Sequence, residues 1–317
     1  MDEEVTNPPA ISVRRMREDE TGAARSLAGL AFSRPENAFF SPPPQTLVAE
    51  RDGRPVGAVV PKVFALPDRR RCGGIFWLMT DPQARGLGVG GRLVEATLGY
   101  FEEHGCREAF ACVEGHNTSS SNLFAARGFA VLSPAEQLRR YGLLGTVALW
   151  VKMFRFGVDV GHFLWARPGA TKPDNPGLQR RAGTLASALS FLLAGWRSGR
   201  VEGLDAMAFL GAASAVVALF GLREAAMSLA ARWRGLSVRH RAWEAAFPLS
   251  AAVALMSGWF LPAPGSVYPR GGTWRYRDLL SKLGPTAFAG ASAVLLFAWA
   301  AWAVLAAATL GLLLARG

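Results

Sequence analysis

Between residues 75 and 101 an apolar run, a glycine-rich turn and an amphipathic segment follow one another, and this order constrains the chain more than any other feature. Ile75-Phe76-Trp77-Leu78-Met79 is short and apolar enough for a buried strand. Gly86, Gly88, Gly90 and Gly91 follow within a few residues. Leu93, Val94, Ala96, Thr97, Leu98, Tyr100 and Phe101 then recur with helical spacing. Glycines between a strand and a helix N-terminus leave several backbone N–H groups facing one concavity, and the helix dipole adds partial positive charge there. Such a turn is built for a phosphate or pyrophosphate.

Gly86-x-Gly88-x-x-Gly91 also fits the dinucleotide-binding fingerprint, with Glu114 about 20 residues on. Three observations oppose that reading. Thr80-Asp81-Pro82-Gln83-Ala84-Arg85 separate the strand from the first glycine, where the fingerprint puts it almost at once. The strand does not open its domain, because structured-looking sequence precedes it. The sequence after Glu114 also follows a different pattern.

That pattern carries a more specific likeness. Gln83-x-x-Gly86-x-Gly88 resembles the acyl-CoA loop of the GNAT acetyltransferase family. Ala109-Phe110-Ala111-Cys112-Val113, Asn117, Leu123-Phe124 and Gly128-Phe129 are similar to the second half of the family pattern: a strand, an Asn and a short helix ending in Gly-Phe. Upstream, residues 11–16 alternate like a first strand and residues 21–32 have the period of a first helix. Residues 46–50 and 55–64 flank Arg51-Asp52-Gly53-Arg54, a hairpin signal. The resemblance covers roughly residues 10–135. It implies an α/β GNAT domain with a mixed central sheet whose strands splay to admit acetyl-CoA.

By the same resemblance, backbone amides around Leu78, Met79 and Thr80 contact the acetyl and pantetheine groups. Gln83, Arg85 and the amides of Gly86, Leu87, Gly88, Val89, Gly90 and Gly91 hold the pyrophosphate. Asn117 contacts the pantetheine arm or an ordered water. Many relatives carry a Tyr at the position of Phe124 to protonate the departing sulfur, and a phenyl ring has no proton to give. Water or residues 119–121, all Ser, would then serve. Glu114 and His116 are the candidate bases for the acceptor amine, His116 because an imidazole titrates near neutrality. Their plain alternative is a solvent-facing loop. No metal enters this chemistry.

The rest of the chain differs in character. Residues 1–140 hold 17 Lys and Arg against 17 Asp and Glu, so residues 141–317 carry the whole net charge of +11. Basic charge beside apolar runs marks membrane flanks, and no aromatic–basic interleaving points to nucleic acid. Cys72, Cys106 and Cys112 lack metal-ligand spacing and read as reduced thiols. The first residues are acidic and polar, unlike a cleavable signal peptide.

Residues 142–166 read as an amphipathic helix, and 167–181 as a Pro-rich linker. Apolar runs follow at 184–196, 204–222 and 243–261, and residues 285–315 contain no charge at all. The expectation is an all-α polytopic domain of three to four membrane helices over 182–317, after a GNAT domain at 1–140 and a linker at 141–181. Small-residue faces at 211–215 and 290–293 suit close helix contacts. Basic residues flank the third run on both sides, which one crossing cannot place on a single face. The 223–242 segment is expected inside, with a re-entrant third run as the way out.

Residues 200–300 also carry a weaker resemblance to site-2-protease-type membrane metallopeptidases. Arg223, Glu224 and Met227 occupy the places of the His-Glu-x-x-His motif, and 262–268 that of a later loop. Arg cannot ligate zinc and a lone thioether is a poor ligand. The likeness therefore implies a non-proteolytic scaffold with an Arg223–Glu224 ion pair. Together these readings point to a multi-pass membrane protein with a cytoplasmic N-acetyltransferase domain. Its partners would be acetyl-CoA, a protein or small-molecule amine and the lipid bilayer. The alternative is a weak or inactive acyl-CoA sensor on a pseudo-protease membrane domain.

Overall fold

In the computed structural model, residues 11–32, 37–38, 40–154, 161–169, 175–199, 206–244, 246–263, 265–270 and 275–314 are described. Two compact units emerge. The first comprises Met1–Val113, Ser120–Phe154 and Leu164–Lys172, and the second Glu114–Ser119, Arg155–Phe163 and Pro173–Gly317.

The first unit is organised by a mixed sheet. Strands β1 (Ser12–Arg15), β2 (Leu47–Arg51), β3 (Arg54–Ala65) and β4 (Arg71–Thr80) form an antiparallel meander. β5 (Glu108–Glu114) joins β4 in parallel, and β7 (His162–Arg167) and β6 (Ala130–Val131) complete the order β1-β2-β3-β4-β5-β7-β6. The β2–β3 turn has Asp52 at φ 52° and Gly53 at φ 74°. Two consecutive positive φ values match the right-handed twist of a two-residue hairpin, so the Asp-Gly pair sets the register.

Alternation along the strands buries both faces. Ala49, Val59 and Ile75 meet Val89, Leu93, Val94 and Phe101 of helix α2 (Val89–Glu103). Val48, Ala58, Val60, Trp77 and Met79 meet Ala24, Leu27 and Ala28 of helix α1 (Thr21–Ala31). Gly73 lets α2 sit close: a Cβ there would fall 2.4 Å from the Phe101 ring. Cys72 is buried in β4, and burial pushes its thiol up to about 12. Helix α3 (Thr118–Ala125) follows β5, and α4 (Pro134–Met153) follows β6.

This arrangement corrects the reading of residues 142–166 as one amphipathic helix. The helix ends at Met153, and 162–167 form β7, whose Trp165 pairs with Val131. Tyr141 and Leu149 are buried, while Leu143, Leu144 and Val151 are exposed.

The second unit contains α5 (Pro176–Arg197), α6 (Ala206–Trp233), β8 (Val238–Arg241), α7 (Ala246–Ser257), β9 (Ser266–Pro269) and α8 (Tyr276–Leu314). β8 and β9 pair antiparallel from Val238↔Pro269 to Arg241↔Ser266, so the unit is not all-α as expected. Among the described residues two stretches are long and apolar enough to cross a membrane, Leu210–Trp233 and Tyr276–Thr309. Leu295, Leu296, Trp299, Trp302 and Leu305 of α8 are all exposed. The third apolar run yields only the 12-residue α7, about 18 Å long against a hydrocarbon thickness of about 30 Å. Residues 285–314 of the uncharged run fall in one helix that starts at Tyr276 and continues through Pro285, and residue 315 lies outside the described residues.

α6 and α8 run antiparallel. Met227 abuts Gly290, where a Cβ would lie 2.6 Å from its Cγ, and Ala231 shares a buried cluster with Leu283. Gly290 is thus a contact of the small-residue kind, whereas nothing lies within 4 Å of a Cβ at Gly211.

Candidate functional site

The glycine turn is shaped by its own backbone. The Asp81 carboxylate accepts from the Gln83 N–H at 2.9 Å, which closes a 3-10 turn over Pro82–Ala84. Gly86 then adopts φ 84° and Gly88 φ 78°, both left-handed. A Cβ at either would touch nothing within 4 Å, so backbone conformation rather than crowding calls for glycine here. Gly88 is the N-cap of α2 without a side-chain cap, and the Arg92 N–H reaches the Gly88 carbonyl at 3.1 Å. The first-turn amides of α2 have no acceptor inside the helix. Gly86, Leu87 and Gly88 are exposed, as are the side chains of Gln83 and Arg85, while the Val89 side chain is buried. Val89 belongs to the core and offers no side-chain contact to a ligand.

Beside this turn the sheet opens. β4 and β5 pair only from Cys72↔Glu108 to Ile75↔Ala111, although β4 continues to Thr80 and β5 to Glu114. The cause lies on the other side of β4. The β3–β4 register shifts between Val60 and Pro61, so Val60 faces Trp77, Pro61 faces Ile75 and Phe76 is extra. A bulge bends and twists its strand, and this one lies where β5 departs. Beyond it, Leu78, Met79 and Thr80 keep β3 as their only sheet neighbour among the described residues. Met79 turns its side chain into the α1 core and Leu78 packs partly against the α2 core. The Thr80 hydroxyl lies near Gly90, 3.8 Å from a Cβ built there.

Arg127 is one residue that the sequence pattern missed. Its guanidinium donates to the carbonyls of Gly91 and Leu123, both at 3.2 Å, and pairs with Glu95 at 2.8 Å. It ties the end of α3 to the first turn of α2 and brings positive charge beside the turn. Its place one residue before Gly128-Phe129 was the only available signal. Phe124 lies in the core with its ring edge on Phe129, 5.1 Å between centroids. Its side chain therefore belongs to the packing and offers no polar group.

The remaining candidates lie in the 114–119 segment, which belongs to the second unit. Glu114 ends β5 and is exposed, as is Asn117. His116 is half-buried between the rings of Tyr268 and Tyr276, with centroids at 5.1 and 5.2 Å. Burial lowers its pKa and Glu114 partly opposes that shift. Tyr268 receives the Trp243 indole N–H at 3.0 Å, and burial pushes its phenol up to about 12.

In the region likened to a metallopeptidase, Glu224 pairs with Arg180 at 2.7 Å and lies 3.4 Å from His240. Arg223 instead donates to the Gly265 carbonyl at 3.0 Å. This corrects the expected Arg223–Glu224 pair: among the described residues no salt bridge joins the two, and each finds a partner distant in sequence. Among the described residues no three His, Cys, Asp or Glu side chains cluster as a metal site would require. The metallopeptidase likeness has no support from known proteins.

Comparison with known proteins bears on the first unit. Mycothiol acetyltransferase from Acidimicrobium ferrooxidans is 34% identical over 32% of this chain and 32% of its own. The Cellulomonas flavigena protein of the same name is 33% identical over 39% of this chain and 41% of its own. The chain thus spans only about a third of the length of such relatives. Among solved structures, N-acetylglutamate synthase from Neisseria gonorrhoeae, complexed with coenzyme A and N-acetyl-glutamate, has a TM-score of 0.36. It is 23% identical over 51% of this chain and 35% of its own. The NatC complex bound to Gag peptide and CoA also scores 0.36, at 20% identity over 49% of this chain and 96% of its own. The sequence from 12 to 129 matches the Acetyltransferase (GNAT) family, and these residues form a GNAT acetyltransferase domain.

Proposed function

We propose that this protein is a membrane-anchored N-acetyltransferase that moves the acetyl group of acetyl-CoA to an amine at the cytosolic bilayer surface. The observation that carries the reading is the parting of β4 from β5 after Ile75↔Ala111 beside the Gly86–Gly91 turn. A gap between parted strand edges suits the amide-rich pantetheine arm, and a helix N-terminus suits the pyrophosphate. The name shared by the relatives supports acetyl transfer as the reaction class.

In this reading the acceptor nitrogen attacks the thioester carbonyl. A C–N bond forms and the C–S bond breaks. The amine proton passes to His116 or Glu114, and the CoA thiolate takes a proton from water, because Phe124 has none to give. The products are the N-acetylated acceptor and free CoA.

α6 and α8 are the proposed anchors. α7 is too short to cross, and β8 pairs with β9, so residues 234–275 share one side. Arg234, Arg239, Arg241, Arg270 and Arg275 favour the cytosolic side. This accounts for basic residues on both flanks of the third apolar run. The last charge at the start of α8 is Lys282. Tyr276 therefore stands about 10 Å along the helix from the uncharged stretch that begins at Leu283, near headgroup level. His116, in ring contact with Tyr276, would meet its acceptor there.

Two experiments test this. Full-length protein in nanodiscs, given acetyl-CoA and a panel of amines, should release free CoA with at least one acceptor. Cysteines at Ser237 and Ser266 should both label from the cytosol, and labelling from opposite faces would defeat the topology.

A second reading rests on Phe124, whose ring is sealed in the core where many relatives have a tyrosine hydroxyl. The domain would then bind acyl-CoA as a signal. Saturable binding without turnover on any amine would favour it.

A further inference from the structure

The segment that carries both candidate bases is fixed by residues more than 40 positions away. Gly115 donates its N–H to the Gly161 carbonyl at 3.0 Å. It has no room for a side chain: a Cβ would fall 2.4 Å from Tyr268 Cε1 and 2.7 Å from Phe163 Cε2. The His116 imidazole faces the rings of Tyr268, at an interplanar angle of 34°, and Tyr276, at 46°. The Thr118 hydroxyl accepts the Tyr276 backbone N–H at 3.2 Å. Phe163 meets Tyr268 edge-on at 5.0 Å, and the Tyr268 hydroxyl is held by Trp243. Tyr268 comes from β9 and Tyr276 is the first residue of α8.

We propose that Tyr268 and Tyr276 are positioning residues for His116: their rings set the orientation and solvation of the imidazole that takes the acceptor's proton. The proposal rests on the acetyl-transfer reading above. It goes beyond it by making the acceptor end of the reaction depend on β9 and α8, so residues 1–140 alone would lack these supports.

The chemistry follows from the surroundings. A base must be neutral to accept a proton. Two phenol rings remove water from the imidazole without offering a counter-charge, which disfavours the imidazolium. Among the described residues, Glu114 on the same segment, Tyr268 from β9 and Tyr276 from α8 are titratable groups that face it. Arg241 of β8 and Arg223 of α6 act on Tyr268. Glu114 alone among these favours the charged imidazole.

The test uses full-length protein in nanodiscs and two independent readouts. Histidine side-chain NMR follows the titration of His116, assigned with His116→Gln. The pH profile of kcat/KM for CoA release follows the base in turnover. Tyr276 is partly exposed, so Tyr276→Ala leaves the core in place, and every variant at this position keeps the backbone bond to Thr118.

In Tyr276→Ala, water reaches the imidazole, its midpoint moves up toward that of an ordinary histidine, and the acid limb of the profile moves up with it. Tyr276→Phe keeps the ring and leaves both unchanged. An unmoved midpoint in Tyr276→Ala, or the same movement in Tyr276→Phe, would overturn the proposal. So would a moved midpoint with an unmoved acid limb, since His116 would then not be the base. Absence of turnover in the wild type would defeat the acetyl-transfer reading itself, and the NMR midpoint would still report separately whether the rings set the imidazole.

Discussion

Replacing Gly88 by Glu and by Gln separates the electrostatic part of the proposed phosphate cradle from its backbone part. Gly88 sits at φ 78° as the N-cap of α2. Either side chain must hold that left-handed conformation, at a cost of about 1–2 kcal/mol to folding. Nothing lies within 4 Å of a Cβ there, so neither clashes in the free protein and both should unfold at similar temperatures. Their binding should differ. The turn is exposed, so bulk water sets the dielectric, and two unit charges 5 Å apart repel by about 0.8 kcal/mol. A pyrophosphate with two charges doubles this to about 1.7 kcal/mol, or roughly fifteen- to twenty-fold in Kd between Glu and Gln. Calorimetric titration of acetyl-CoA into the full-length variants reads the ratio, which should shrink as salt screens the pair. Equal affinities for Glu and Gln, or wild-type affinity in both, would mean that no anion sits at this helix end.

Three other outcomes follow. Gly73→Ala places a methyl against the buried Phe101 ring and should cost about 1–3 kcal/mol, read as a lower unfolding temperature of the full chain. Arg14 of β1 holds Glu20 and Glu50 together, and its hydrogen bond brings the Glu20 carboxyl down to about 2. Because the folded value is the lower one, this stabilisation is present above about pH 4.5 and is lost as pH falls toward 2. With solvent screening at the rim, Glu20→Gln should cost about 1 kcal/mol at pH 7 and almost nothing at pH 2, by denaturation at the two pH values. Gly290→Leu should separate α8 from Met227 of α6, so a disulfide engineered between the two helices would form in the wild-type background and fail in the variant.

Much of the first unit was readable because its signals are local. Asp52-Gly53 fixes a hairpin by its own φ values, and Gly86 and Gly88 mark left-handed turns that only glycine adopts without cost. The Phe76 bulge was not readable, since it arises from the register against Val60 and Pro61 on the neighbouring strand. β7 was missed for a similar reason: Phe163-Leu164-Trp165 is a short apolar run that suits helix or strand equally, and its partner at Ala130–Val131 is over 30 residues away. The α8 span was plain from its lack of charge, and the α7 run looked long enough until Trp243-Glu244 proved to lie before the helix and 258–261 after it. Pairings such as Glu224 with Arg180 and His116 with Tyr276 depend on tertiary contact and leave no periodic trace. The likeness to a metallopeptidase rested on order alone and had no ligand set behind it.

In the proposed function the Gly86–Gly91 turn and the parted strands hold acyl-CoA rather than a dinucleotide, whose fingerprint the same glycines also satisfy. Calorimetric titration of the full-length protein in nanodiscs with acetyl-CoA, and in parallel with NAD, tests this directly. Saturable one-site binding of acetyl-CoA that is abolished or strongly weakened in Gly88→Glu, with no binding of NAD, is the expected result. Binding of NAD, or of neither ligand, would contradict it.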